Sequence, residues 1–230
     1  HYTTAYELAL LSNYAMKNKT FAQIVNTIEF TVTINGYPKT IRNTNELLGN
    51  INGVYGIKTG FTNGANRCLV SCCKRNNLDI ICVVLGADTK NFRTRDSIKL
   101  IEYTFKNYEP TNIEEIMKKE FITWKEKNSN LFNIEKGTTN NINLEMQKTS
   151  YATIPINKEN IQKISINITC NTNLVAPINI NSEIGTITCK IDNTILLQTN
   201  IRVVNAINKK NLFNYLNEFI KKYKYITIKM

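Results

Sequence analysis

The sequence predicts an α+β fold in which an antiparallel sheet with helices is followed by a small β-sandwich domain and an amphipathic C-terminal helix. Three observations predict it. Apolar runs within residues 53–86 are separated by short turns, as in consecutive antiparallel strands. Apolar residues recur at helical spacing on both sides of these runs, and from residue 111 the chain consists of short β-prone pieces. We therefore expect one domain in residues 1–109, a β-rich domain in 110–208 and a basic amphipathic tail in 209–230.

The first elements are a helix and a hairpin. Residues 3–18 are predicted to be helical, because Thr4 and Glu7 have the spacing of a capping box. Three apolar residues lie on one face of this helix: Leu8, Leu11 and Ala15. A strand-rich segment follows, in which residues 30–34 form one arm of a hairpin around Asn35-Gly36, the strongest short hairpin signal in the sequence. We expect both elements to be structural.

The triplet Lys58-Thr59-Gly60 lies inside the β-prone run of residues 53–62. The apolar runs 68–73 and 80–86 follow after short turns, so the triplet belongs to the first of three antiparallel strands joined by hairpins. An edge strand beside a cleft could hold a peptide-like substrate through its main-chain N–H and C=O groups. Gly60 would keep such an edge clear, since it has no Cβ.

A helix is predicted from Arg93 to Tyr108, where apolar residues recur every three or four positions and Glu109-Pro110 ends the pattern. The β-prone pieces beyond it are residues 120–124, 131–134, 142–146, 151–154, 164–168, 184–189 and 194–197. Several alternate apolar with polar residues, as half-buried strands do. They contain no concentrated set of acids, bases or metal ligands, so this domain is interpreted as a spacer or interaction module.

The C-terminal tail has the pattern of an amphipathic helix. Its apolar face consists of Leu212, Phe213, Leu216, Phe219 and Ile220. Its polar side consists of Asn214, Asn217, Lys221 and Lys222. The tail could lie in a membrane surface, which the basic residues near apolar ones favour, or it could dock on the β-rich domain.

Composition limits the possible chemistry. The net charge of +11 suggests anionic surroundings, but the sequence has no arginine-rich stripe or aromatic RNA-binding signature, so nucleic acid is not an expected partner. Strand periodicity puts Cys68 and Cys72 on one side and Cys73 on the other, which argues against a zinc site; apolar packing is expected for most of the six cysteines. We expect no metal and no organic cofactor. His1 is the only histidine, so hydrolysis would have to use lysine or a carboxylate.

Residues 1–108 resemble the C-terminal half of the catalytic domain of penicillin-binding D-alanyl-D-alanine carboxypeptidases, the low-molecular-mass serine peptidases of family S11. The matching segments, in family order, are residues 1–10, 56–62, 68–70, 83–87 and 93–96. The resemblance implies half of a penicillin-binding, β-lactamase-like catalytic domain, followed by the β-rich domain and membrane-surface helix of these enzymes. A β-lactamase fragment would share the triplet but would not explain the second domain.

The resemblance also implies roles for individual residues. Lys58 would supply a positive charge that orients the serine of the Ser-x-Asn motif, and the Thr59 hydroxyl would help bind the terminal carboxylate of D-Ala-D-Ala. The N–H of Phe61, beside Gly60, would form the oxyanion hole together with the N–H of the nucleophilic serine. Arg93 would recognise the substrate carboxylate. Arg42 aligns with another family arginine near the cleft and is interpreted as supporting structure.

Two family motifs are not present where the family has them, upstream of a segment like residues 1–4: Ser-x-x-Lys, which carries the nucleophile, and Ser-x-Asn. Ser71 and Lys74 have the first spacing but lie in and at the end of an apolar strand, so we interpret the match as chance. We expect a C-terminal portion of an enzyme whose N-terminal half is missing, inactive in isolation. No signal peptide opens the sequence and no apolar run approaches about 20 residues.

The complete enzyme would be exported to the extracytoplasmic face of a bacterial cell membrane. It would act on peptidoglycan stem peptides ending in D-Ala-D-Ala through an acyl-enzyme, and β-lactams would inhibit it. The alternative is a non-catalytic cell-wall or membrane-surface binding protein that retains half of the fold. In an isolated half-domain the Lys-Thr-Gly sheet should expose apolar surface that the absent helices would cover, so the chain alone should be poorly soluble.

Overall fold

The computed structural model describes residues 2–149 and 152–227, with side chains described up to residue 221. It contains two compact units: the first comprises residues 1–110 and 155–158, and the second comprises residues 111–154 and 159–230, within those described limits. His1 and Tyr151, which belong to predicted segments, and the side chain of Lys222 lie outside the described residues.

The first unit begins with two helices and a hairpin. Helix α1 spans Ala5–Ala15, α2 spans Lys19–Val25, and strands β1 and β2 span Glu29–Ile34 and Tyr37–Arg42. The capping box is confirmed, because the Glu7 N–H donates to the Thr4 hydroxyl and the Glu7 carboxylate accepts from the Thr4 N–H. The predicted hairpin is also confirmed: β1 and β2 pair antiparallel, and Asn35 and Gly36 have φ angles of 51° and 83°. The sequence pattern did not indicate α2, which Asn18 caps.

The main sheet of this unit has three antiparallel strands, as predicted. Strands β3, β4 and β5 span Val54–Thr62, Asn66–Arg75 and Leu78–Ala87 and pair in the order β3-β4-β5. Helix α3, Lys90–Asn107, packs on one face together with the loop before β3. Helices α1 and α2 pack on the other face. The sheet therefore has apolar residues on both faces.

The cysteines of this sheet contribute to its packing. Cys72, Cys73 and Cys82 are buried and Cys68 is half-buried; in the second unit Cys189 is buried. Burial raises the pKa of Cys72 to about 12 and that of Cys82 to about 11. The expected apolar role is confirmed for the buried thiols. In the described residues no cysteine forms a disulfide.

The second unit is β-rich. After β6, Tyr108–Asn112, it contains helix α4, Ile113–Asn128, and a 3₁₀ turn at Ser129–Leu131. The elements that follow along the chain are β7 Asn133–Glu135, β8 Leu144–Met146, β9 Thr153–Asn157, a second 3₁₀ turn Lys158–Lys163, β10 Ile164–Cys170, β11 Asn173–Val175, β12 Glu183–Ile191, β13 Thr194–Val203 and α5 Leu212–Thr227. Residues 155–158, at the end of β9 and the start of the second turn, belong to the first unit. An antiparallel sheet has the order β10-β12-β13-β8; β7 and β11 pair in parallel, and β6 pairs with β9. The α+β class is confirmed.

One predicted strand is wrong. Residues 120–124 lie inside α4, which packs against β12 and β10. Ile113, Met117 and Phe121 recur every four residues and are 0%, 0% and 3% exposed, so the burial period is helical. The Asn112 side chain accepts from the Glu115 N–H and caps the helix. The predicted strand covers only five residues, which are too few to show a helical period of burial.

The tail is helical, as predicted, and its apolar face is exposed. Leu212 and Phe213 are 81% and 74% exposed, and Leu216 is also exposed. In the part of the chain that the structure describes, no helix combines the length and apolar character needed to cross a bilayer. The expectation that the sheet exposes apolar surface is not met, because α3 covers one face and α1 and α2 cover the other. The exposed apolar side chains of the first unit include Leu10, Leu11 and Tyr14 of α1.

Candidate functional site

The Lys-Thr-Gly triplet lies on strand β3, at an edge of the three-stranded sheet. Among the described strands β3 pairs only with β4, where Lys58 is opposite Val70, Thr59 opposite Leu69 and Gly60 opposite Cys68. Lys58, Gly60 and Phe61 are exposed, and Thr59 is half-buried. The other edge of β3 is therefore available for an extended peptide to add as a further strand.

Gly60 is not required by the packing of this chain. A Cβ built on Gly60 would contact only the Cβ of Cys68, at an ordinary 3.7 Å, and the φ angle of Gly60 is not positive. Gly53 shows the opposite case: its φ is +80° and a Cβ there would lie 2.4 Å from the Lys74 carbonyl oxygen. The fold explains Gly53, whereas Gly60 leaves space at an edge where another molecule could approach.

Lys58 and Thr59 place a cation and a hydroxyl on this edge strand. The Lys58 Nζ donates to the Thr59 carbonyl oxygen at 2.6 Å. The Thr59 Oγ1 lies 2.6 Å from the Oγ1 of Thr44, which belongs to the loop before β3. These groups suit a ligand that carries a carboxylate and a peptide backbone.

The loop of residues 43–46 is a part of the site that the sequence patterns did not predict. The Asn45 side chain is 2% exposed, donates to the Gly56 carbonyl at 3.0 Å and accepts from the Leu47 N–H at 3.2 Å. Asn43 donates from its Nδ2 to the carbonyl oxygen of Thr27 at 3.0 Å. Asparagines before an apolar pair are a signal for such local bonds, although the sequence does not identify β3 as a partner.

Arg93 lies at the start of α3 and is held by a carboxylate of this chain. The residue is 4% exposed, and its Nη2 donates to both oxygens of Glu46, at 2.5 and 2.6 Å. The Thr94 hydroxyl also donates to Glu46. Burial raises the pKa of Glu46, but the bonds from Thr94 and Arg93 outweigh it and hold that pKa below its usual value. A contact between Arg93 and a substrate carboxylate stays a prediction.

The other predicted residues have simpler surroundings. Phe61 is 54% exposed, and the Arg67 guanidinium lies 4.0 Å from its ring centroid. The role of the Phe61 N–H stays a prediction. Arg42 is exposed and forms an ion pair with Glu29 of the neighbouring strand, 3.3 Å away; its supporting role also stays a prediction.

The Ser71 hydroxyl is not placed to act as a nucleophile. Ser71 is fully buried and its Oγ has no hydrogen-bond partner in the described residues. Lys74, three residues later on β4, is exposed, and the alternation of a strand directs it to the opposite face. Ser71 is the only serine in the sequence with a lysine three positions later. The interpretation of that spacing as chance agrees with this geometry.

Two family models match the chain. The D-alanyl-D-alanine carboxypeptidase model matches residues 1–89, and the model of the C-terminal domain of penicillin-binding protein 5 matches residues 120–209. D-alanyl-D-alanine carboxypeptidase DacF of Bacillus subtilis is 27% identical over 217 residues, which are 94% of this chain and 53% of DacF. DacA of Escherichia coli K12 is 28% identical over 221 residues, 96% of this chain and 52% of DacA. The chain thus spans about half the length of these curated relatives.

Solved structures agree on the fold. D-alanyl-D-alanine carboxypeptidase DacD from Francisella tularensis matches 91% of this chain with a TM-score of 0.61 and 19% identity, over 61% of its own chain. Penicillin-binding protein 5 from Haemophilus influenzae matches 91% of this chain with a TM-score of 0.60 and 23% identity, over 58% of its own chain. At these identities the likeness concerns the fold alone.

Proposed function

Since the chain belongs to the serine-type D-alanyl-D-alanine carboxypeptidase family S11, the low-molecular-mass penicillin-binding proteins, we propose that it forms part of an enzyme that removes the terminal D-Ala from peptidoglycan stem peptides. The observation that supports this most directly is the Lys-Thr-Gly triplet on an open edge strand, with a glycine that the packing of the chain does not need. The 230 residues contain half of the catalytic fold and the β-rich second domain.

In this proposal the nucleophilic serine and its lysine base come from residues outside this sequence. The serine attacks the penultimate D-Ala carbonyl, D-Ala leaves, and water hydrolyses the acyl-enzyme. A β-lactam stops at the acyl stage. No metal or organic cofactor takes part.

The residues of β3 would bind and orient the substrate. The main-chain edge pairs with the stem peptide, and Gly60 lets its backbone approach. The Phe61 N–H donates to the carbonyl oxygen as negative charge develops on it. The Lys58 ammonium orients the serine of the Ser-x-Asn motif, and the Thr59 hydroxyl donates to the terminal carboxylate.

Arg93 is the least direct member of the proposed site. Its guanidinium is held by Glu46, so a direct contact with the substrate carboxylate requires Glu46 to release it. Even while it stays bound to Glu46, Arg93 acts on the site by fixing the loop. Glu46 is next to Asn45, whose side chain donates to the Gly56 carbonyl of β3. Arg42 supports the hairpin beside the loop.

The surroundings follow from the same proposal. The enzyme works at the extracytoplasmic face of the bacterial membrane, and the exposed apolar face of α5 supports contact between the tail and the membrane surface. The alternative is a non-catalytic protein that binds the cell wall or the membrane surface. The exposed apolar face of α5, a helix that also carries basic residues, is the feature that such a protein could use to bind.

The test is the intact mass, before and after penicillin treatment, of the protein that carries this sequence in its native source. We expect a protein heavier than 26.4 kDa that gains one penicillin and yields the peptides of this sequence. A 26.4 kDa species that gains nothing would contradict the enzyme and favour the binding protein.

A matched pair of variants tests the role of the triplet in that protein. Lys58→Met should slow acylation on the order of 100- to 1000-fold, the size of losing one fixed electrostatic contact in a site, because it removes the cation that orients the serine of the Ser-x-Asn motif. Lys74→Met removes an exposed lysine of the adjacent strand β4 and should acylate like the wild type. Equal rates for the two variants would contradict the proposed role of Lys58.

A further inference from the structure

We propose that Thr44 is a positioning residue that orients the Thr59 hydroxyl toward the carboxylate of the substrate. The inference rests on the proposed function and extends it to a residue of the loop before β3. Thr44 contacts no part of the peptide in this proposal and acts only through Thr59.

The inference starts from the single proton of a hydroxyl group. The two Oγ1 atoms lie 2.6 Å apart, so one threonine donates and the other accepts. A carboxylate only accepts hydrogen bonds, so the Thr59 hydroxyl must give its own proton to bind one. Its oxygen then accepts from Thr44, which is the hydroxyl placed within reach. The Thr44 bond therefore selects the orientation of Thr59 that suits an anionic ligand.

The position of Thr44 is fixed by its neighbours on both sides. The Asn43 N–H donates to the Ile28 carbonyl at 2.7 Å, and the buried Asn45 side chain donates to the Gly56 carbonyl at 3.0 Å. Glu46, the next residue, is held by Arg93. The loop is thus tied to the segment before β1, to β3 itself and to α3, so the hydroxyl of Thr44 keeps a constant place beside β3.

Thr44 itself is exposed. Its side chain is not needed to fill the core, so it can be changed without unfolding the protein. A bond that is exposed and adds little to stability, yet lies on a predicted substrate-binding hydroxyl, fits a role in orientation better than a role in packing.

The test compares Thr44→Val, which keeps the shape and removes the donor, with Thr44→Ser, which keeps the donor. Both are made in the protein that carries this sequence. The probe is a stem-peptide analogue ending in D-Ala-D-Ala in which a methylene group replaces the scissile N–H, so it binds without being cleaved. We expect Thr44→Val to bind it about 3- to 10-fold more weakly, the effect of one misdirected hydrogen bond, and Thr44→Ser to stay within about twofold of wild type.

The control is the same analogue with a C-terminal amide in place of the carboxylate. A threonine that orients Thr59 for an anion should affect the acid and leave the amide unchanged, whereas a merely structural residue would affect both equally. Equal loss for both probes, or no loss in Thr44→Val, overturns the inference.

Penicillin acylation of the wild type separates this inference from the proposed function. If the wild type is acylated and Thr44→Val binds the acid probe as well as the wild type does, the proposed function is supported and the role of Thr44 is overturned. If the wild type is not acylated, yet binds the acid probe more tightly than Thr44→Val, the role of Thr44 is supported and the catalytic function is overturned. If the wild type is neither acylated nor a tighter binder of the acid probe, both proposals are overturned.

Discussion

Replacing Gly60 with alanine should separate the stability of this protein from its function. The new Cβ would lie 3.7 Å from the Cys68 Cβ, which is an ordinary contact, and the φ angle of Gly60 is one that any residue adopts. Under these conditions Gly→Ala stabilises a protein by about 0.4–1 kcal/mol, because it restricts the unfolded chain. For a protein of this size the melting temperature should rise by about 1–4 °C.

Function should change in the opposite direction. The added methyl group would stand at the edge where the substrate backbone adds to β3, and it would push that backbone away from the Phe61 N–H. Losing one oxyanion-hole donor costs on the order of 100- to 1000-fold in rate. We therefore expect penicillin acylation of Gly60→Ala to fall by a factor of that size, measured by the rate of the mass increase.

Two further glycines are controls for this experiment. Gly64 has no heavy atom within 4 Å of a built Cβ and its φ angle is not positive, so Gly64→Ala should raise stability by a similar amount, about 0.4–1 kcal/mol, but leave acylation unchanged. Gly53→Ala should destabilise the protein, because its Cβ would lie 2.4 Å from the Lys74 carbonyl oxygen at a φ of +80°. A Gly60→Ala variant that melts lower than the wild type, or that is acylated at the wild-type rate, would refute the reasoning.

Three further predictions concern the ion pair, the thiols and the tail. Glu46→Gln should lower the free energy of unfolding by about 3 kcal/mol at pH 7, because it leaves the buried Arg93 without its counter-charge. Since the folded-state pKa of Glu46 is lowered, this loss should become smaller as the pH falls below 4.5. A loss in denaturant unfolding that is equal at pH 7 and pH 3 would contradict this prediction. Alkylation at pH 8 should label Cys68 before Cys72, whose pKa burial raises to about 12; peptide mass analysis would contradict this if Cys72 reacts first in the folded protein. A chain ending at residue 208 should lose binding to anionic vesicles in a sedimentation assay. Equal binding by the shortened and the full chain would contradict this and favour docking of α5 on protein.

Local signals predicted much of the fold. Thr4 with Glu7, Asn35-Gly36 and the turns between β3, β4 and β5 each specify their structure within a few residues, so the sequence was sufficient for them. Helix α4 was missed because its pattern, Ile113, Met117 and Phe121, becomes visible only over two turns, whereas residues 120–124 alone look β-prone.

The candidate site also has one part that the local sequence predicts and one part that only the structure shows. The triplet is contiguous in sequence, so its position on an edge strand could be inferred from its neighbours. The contact between Thr44 and Thr59 joins residues 15 positions apart through a loop without regular structure, and no periodicity indicates it. Its detection requires the path of the loop between Asn43 and Glu46.

Arg93 illustrates why a residue type does not determine a role. A guanidinium suits a substrate carboxylate and a carboxylate of its own chain equally well, because its N–H groups donate to either one. The structure has Glu46 in that place, at 2.5 and 2.6 Å, with Thr94 on the same carboxylate. Removing Arg93 would then disturb the loop that holds Thr44 and Asn45 against β3, so a loss of activity in an Arg93 variant cannot by itself identify a substrate contact. The loss of the same activity in Glu46→Gln, with Arg93 intact, would assign the effect to the loop.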